Sequence, residues 1–168
     1  FAVRALVEHV IVEPLDAGAF ASRLWATETD RAPVRHDVEG LQPWDGWSLR
    51  RFWADTQSAP PTLIRFAPAE NAFDGPAYVL TSHNTASAAE MAADALKASG
   101  RATLVGETTA GKMLSQTVFD ISGGFQLWLP IVDYYSLTYG RIEGTGVVPQ
   151  LKSAPEDALK IAVGLLGG

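Results

Sequence analysis

The stretch from residue 76 to residue 107 constrains the fold most. "PAYVLTS" (76–82) is a short apolar run rich in β-formers, bounded by Asp74-Gly75-Pro76, and it reads as a buried strand. "SAAEMAADALKASG" (87–100) is an Ala-rich helix that stops at Gly100. "ATLVGE" (102–107) is a second buried strand. Strand, helix and strand in succession require a crossover. The expectation is therefore an α/β chain with a partly parallel sheet.

The flanks read less sharply. Residues 1–12 place Val3, Leu6, Val7 and Val10 at helical spacing, which predicts an amphipathic helix broken by "EPLDAG". A second short helix is expected over Ala19 to Trp25. Residues 30–61 hold Trp44, Trp47 and Trp53 among prolines and charges, with "PWDGW" and "APP" as turn signals. They read as an irregular insert with one helix around Ser48 to Asp55. "QTVFDIS" (116–122), Gly123-Gly124 and "FQLWLPIVDYYS" (125–136) read as two strands joined by a tight turn. A strand end and a last helix from Pro155 close the chain.

Length and composition fit one globular domain. The chain has 168 residues, 47 % hydrophobic and 19 % charged, enough for a core of its own. A net charge of −6 with no basic block argues against nucleic acid as a partner. There is no cysteine, which excludes disulfides, thiol catalysis and thiolate metal sites. No apolar run is long enough to span a bilayer. The chain opens on Phe1 with no signal peptide and no cap ahead of its first helix, so it is expected to be a piece of something longer.

Two short stretches carry candidate chemistry. Ser87, in "TSHNTASAAE" (81–90), stands where a strand hands over to a helix. There the N–H of Ala88 and the helix dipole can meet a developing oxyanion. The plain alternative is a capping box, Ser87-x-x-Glu90, with Thr85 as another possible cap. A serine nucleophile needs a base. His9, His36 and His83 are candidates, and His83 is the nearest in sequence. The other candidate is Lys112 in "GETTAGKMLSQ" (106–116), if burial keeps its amine neutral. Its flanks Ala110, Gly111, Met113 and Leu114 carry no charge, and Gln116, four residues on, can orient the amine. On this reading Lys112 lies in an apolar, neutral site within hydrogen-bond reach of Ser87 and Gln116. Glu107 points away, toward Arg101 or Arg141.

"TASAAE … GRATLVGETTAGK … Q" resembles the catalytic core of the carboxy-terminal processing (tail-specific) family of serine peptidases. That family's pattern is similar to S-A-S-A-S-E followed by G-R-A-x-x-x-G-E-x-T-x-G-K-G-x-x-Q. The resemblance implies Ser87 as nucleophile, Lys112 as general base 25 residues later, Gln116 as its orienter and Ala88 N–H as an oxyanion donor. "YYSLTYGRIEGTGVVPQL" is similar to a further segment of the family, so the likeness covers about residues 75–152. It implies a ClpP/crotonase-like β-β-α spiral, an acyl-enzyme mechanism without metal or cofactor, a polypeptide substrate read near its C-terminus, and a periplasmic or secreted protein.

Some features depart from that pattern. "TSHNTASAAE" and "GETTAGK" also resemble the tricorn-like and retinoid-binding-protein-like branch, which uses an upstream histidine. The family's PDZ domain is not in this sequence, nor is the Gly-Gly turn that supplies the second oxyanion donor. The chain alone is therefore expected to turn over slowly. The family's "P-D" stands here as Pro149-Gln150. Two rival functions fit the same fold. One is acyl-CoA chemistry, which needs neither Ser87 nor Lys112. The other is an apolar-ligand carrier lined by the tryptophans. Trp44, Trp47, Trp53, Phe125 and Trp128 are candidate substrate contacts, with core packing the commoner role for such residues.

Overall fold

A computed structural model describes residues 3–57 and 60–166, so residues 1–2 of the expected first helix and Ala59 of the "APP" turn lie outside the described residues. Two sheets organise the chain. The larger is antiparallel, in the order β2-β1-β6-β5, with β7 also pairing β6. Its strands are β1 (Leu15–Ser22), β2 (Thr62–Phe66), β5 (Ser115–Ile121), β6 (Phe125–Ser136) and β7 (Gly140–Arg141). The smaller is parallel, in the order β3-β4-β8, from β3 (Tyr78–Thr81), β4 (Thr103–Gly106) and β8 (Leu151–Lys152). The crossover expected over 76–107 is present, and it joins the parallel pair β3 and β4.

Helix α5 (Ala88–Ala98) makes that crossover and packs against β1, β4 and β6, between the two sheets. Met91, Ala92, Ala93, Ala95 and Leu96 are all buried. Alanine on several faces lets both sheets approach one helix closely. Two acids, Glu90 and Asp94, are buried on the same helix one turn apart. Helix α6 (Pro155–Leu166) packs on β3 and β4. The remaining helices are α1 (Val3–Glu8), α2 (Arg23–Thr29), α3 (Arg35–Val38) and α4 (Leu49–Asp55).

Several expectations need correction. The sheet is not one partly parallel sheet but two, one of each kind. The first helix ends at Glu8 and not near residue 12. The segment assigned to a helix from Ala19 is strand through Ser22, and the helix begins only at Arg23, capped by Ser22 Oγ accepting from Trp25 N–H. The cause is tertiary. β1 is hydrogen-bonded on both sides, and a Cβ at Gly18 would stand 2.3 Å from the Tyr134 hydroxyl, so the strand packs where a side chain cannot fit. The insert over 30–61 does carry its helix, α4, capped by Ser48. It is less irregular than expected. Trp44 and Trp47 pack ring against ring at 5.6 Å inside the core, and Trp47 meets Phe66 at 5.4 Å.

Candidate active site

Ser87 ends the link between β3 and α5 and is the N-cap residue of α5, with φ 56° and ψ −126°. This is a region that L-residues avoid, and non-glycine residues held in such conformations cluster at functional sites. The Ser87 side chain caps no N–H of the helix. The capping exchange runs the other way, with Ser87 N–H donating to Glu90 Oε2 at 3.0 Å. Helix geometry leaves the first N–H groups of a helix without intrahelical acceptors. The Ala88 N–H, beside the Ser87 hydroxyl, has no acceptor among the described residues.

Glu90 does more than cap. Its carboxylate, fully buried, also accepts from Lys112 N–H at 2.8 Å, Gly111 N–H at 2.7 Å and the Thr109 hydroxyl. One oxygen, Oε2, thus holds the backbone nitrogens of both Ser87 and Lys112, which lie within about 6 Å of each other. Glu143 completes the clamp: its Oε2 accepts from Met113 N–H and from Leu114 N–H at 3.0 Å. Four consecutive N–H groups, 111 to 114, are fixed by two carboxylates. Ala110 N–H donates to Thr85 O at 2.9 Å, which ties the same loop to the turn before Ser87. Gly111 has φ +66°, and a Cβ there would meet the backbone nitrogens of Gly144, Thr145 and Gly146 at 2.9–3.1 Å. Only glycine lets the two loops approach so closely.

A cavity of about 380 Å3 opens at Ser87. Ser87, Ala88 and Gln116 line it together with Leu49, Trp53 and Trp128, and no ionisable side chain is among its lining residues. The tryptophan-rich insert therefore builds one wall of the site through α4, while Trp44 and Trp47 serve the core. Phe125 lies at the far end of the β5–β6 hairpin and is not part of this wall.

The structure brings Ser87, Ala88 and Gln116 to one cavity and the Lys112 backbone to the Ser87 backbone. It does not bury Lys112. The side chain is exposed, and its amine makes no hydrogen bond or ion pair with any described residue, Ser87 and Gln116 included. The expectation of a buried amine bonded to both is thus not met in this conformation. A lysine backbone pinned from both sides leaves only the side-chain torsions to carry the amine inward. Glu107 does point away, but its partner is neither arginine: His83 Nδ1 stands 2.9 Å from its carboxylate, which that bond holds below its ordinary range. Arg101 donates to the carbonyls of Val10 and Phe73, and Arg141 pairs with Asp133. None of the three histidines lines the cavity. His36 pairs with Glu39 and His9 with the Ala5 carbonyl. The sequence pattern marks Glu90 as a cap and gives no sign of Glu143, because their N–H partners on the lysine loop lie 21 to 30 residues away.

The sequence pattern of peptidase family S41 matches residues 19–153. The chain is 41 % identical over 111 residues to a carboxyl-terminal-processing protease of Synechocystis, covering 62 % of this chain and 26 % of that protein. It is 40 % identical over 136 residues to the chloroplastic carboxyl-terminal-processing peptidase 2 of Arabidopsis thaliana, covering 74 % of this chain and 26 % of that protein. It thus spans about a quarter of the length of these relatives. Its fold is similar to mature CPAF complexed with lactacystin (TM-score 0.65, 18 % identity, 98 % of this chain and 39 % of that chain). It is also similar to a lipoprotein from Streptococcus agalactiae (TM-score 0.60, 16 % identity, 99 % of this chain and 48 % of that chain). With most of its length inside the matched region and the strained serine at the head of α5, this chain belongs to peptidase family S41.

Proposed function

We propose that the chain is the catalytic core of a serine endopeptidase that hydrolyses polypeptides through an acyl-enzyme, near substrate C-termini. The observation that carries this reading is Ser87: a strained, exposed hydroxyl at a helix N-terminus, beside an Ala88 N–H with no acceptor among the described residues, on the wall of an apolar cavity. In the reaction Ser87 Oγ bonds to the scissile carbonyl carbon as its proton passes to the amine nitrogen of Lys112. The carbonyl oxygen takes the negative charge and accepts from Ala88 N–H. Collapse breaks the C–N bond, and Lys112 returns the proton to the leaving amine. Water, giving a proton to the same amine, bonds through its oxygen to the acyl carbon; the bond from that carbon to Ser87 Oγ breaks, and Lys112 passes the proton to Oγ. Gln116 orients the amine. Two facts support Lys112 as the base: its backbone is tied to that of Ser87 through Glu90, and its amine has no carboxylate partner among the described residues. The apolar cavity fits a polypeptide with an apolar residue at the cleaved bond.

The same reading takes the architecture as part of a ClpP/crotonase-like spiral, supported by the parallel β3-β4-β8 sheet with its α5 crossover. It places the protein in the periplasm or outside the cell. Among the described residues no helix is long and apolar enough to cross a membrane.

A fluorophosphonate probe tests the function. Covalent labelling at Ser87, abolished in Ser87→Ala, is the expected result. The cavity's apolar lining also fits an apolar-ligand carrier. No labelling, with quenching of tryptophan fluorescence by an apolar ligand, would establish the carrier instead.

A further inference from the structure

The β5–β6 hairpin outgrows the sheet it belongs to. β1 pairs β6 only from Val132 to Ser136, so, among the described residues, 125–130 of β6 have β5 as their one strand partner. A two-stranded ribbon is marginally stable in water by itself. Directly opposed residues share a face, and faces alternate along each strand. Thr117 with Leu129, Phe119 with Leu127, and Ile121 with Phe125 therefore form one face. Gln116 with Pro130, Val118 with Trp128, and Asp120 with Gln126 form the other. The second face carries the arm's single charged residue and gives Gln116 and Trp128 to the cavity at Ser87. The first face carries no charge and no described contact that hides it.

We propose that this uncharged face is a docking surface for a second copy of the chain, packed face to face across a two-fold axis. Area and charge both favour that occupant. Phe119, Ile121, Phe125, Leu127 and Leu129 are 42–69 % exposed, on the order of 500 Å2 of largely apolar surface per copy for side chains of this size. Two copies bring together about 1,000 Å2, the threshold for a specific interface. Each chain carries a net charge of −6, so two copies repel wherever acidic surfaces meet. A face with no ionisable group is where that repulsion is least. Isologous packing matches each copy's ladder of large side chains with its own twin. It also stiffens the ribbon whose other side walls the cavity. The inference does not depend on the chemistry of Ser87.

Sedimentation equilibrium on the 168-residue chain, from low to high micromolar concentration, tests it. The expected result is an apparent mass rising from 18.0 kDa toward twice that value. The double substitution Phe119→Lys and Leu127→Lys should weaken association roughly 100-fold or more, with an unchanged far-UV spectrum. Both positions are exposed, so the fold does not rest on them. A wild-type chain that stays monomeric overturns the proposal. So does a dimer that survives this double substitution but dissociates in Leu159→Lys/Val163→Lys, which would move the interface to the exposed apolar face of α6.

Discussion

A serine at φ 56° and ψ −126° holds its Cβ against the backbone, at a cost of order 1–3 kcal/mol. Glycine escapes that cost and alanine does not. Ser87→Gly should therefore unfold at higher denaturant concentration than Ser87→Ala, by about 1–2 kcal/mol, while both lose all reactivity. Equal stabilities would show that the turn carries no strain. The motif made the identity of Ser87 and its tie to Glu90 legible, but not its backbone conformation, because the loop packed against it comes from 20 and more residues away, where Ala110 N–H donates to Thr85 O and Lys112 N–H to Glu90. Lys112 poses the opposite problem: its place in the loop could be read from the sequence, but the state of its side chain could not. Lys112→Arg keeps a basic side chain of similar length, but a guanidinium cannot give up a proton and so cannot act as a base. Peptide hydrolysis should fall by about 10²–10⁴, measured as kcat/KM. A rate near wild type would remove Lys112 from the reaction.

The elements that could be read from the sequence were those whose pattern is complete in itself: β3, α5, β4 and the β5–β6 hairpin each lie within a few residues of expectation. β1 and β2 escaped. β1 is built of small residues whose burial comes from strands far off in sequence, and β2 hides behind the prolines that end the insert. The clamp on the lysine loop escaped for the same reason, and its two carboxylates should respond differently to one substitution. Glu90 accepts on both oxygens, two donors on each. An amide in its place turns an NH2 group toward two donors whichever way it faces. Glu143 accepts both of its N–H groups on a single oxygen, which a glutamine can supply. Glu90→Gln should cost about 2–4 kcal/mol and slow the labelling of Ser87, whereas Glu143→Gln should cost about 1 kcal/mol. Urea unfolding of the two variants separates them. Similar losses would mean that Glu90 does not join the two loops as described.

At the scale of the molecule, one buried helix joins two sheets of opposite kind, and that helix carries a second buried acid. Asp94 is hydrogen-bonded by Ser136 of β6, but among the described residues its Oδ2 has no partner, and neither has the nearby Tyr134 hydroxyl. Burial raises the Asp94 pKa to about 6, against the smaller opposing effects of Ser136 and Lys97. A carboxyl raised in the folded state favours the protonated form. Its contribution to stability is therefore full below the unfolded value of about 3.9 and is lost as pH rises through about 6. The shift corresponds to about 3 kcal/mol between those limits. The chain has 19 acidic residues, so its overall stability profile mixes many titrations. Comparison with Asp94→Asn removes the rest, because the two proteins differ only at this group. The amide keeps the shape and the acceptor for Ser136 but never ionises. Relative to wild type, Asp94→Asn should gain about 2–3 kcal/mol between pH 4 and pH 8, with the change centred between about 4 and 6. Unfolding free energies of both proteins across that range supply the measurement. A difference that stays constant with pH would mean that the Asp94 carboxylate is solvated, and that the joint between the two sheets is looser than the buried helix implies.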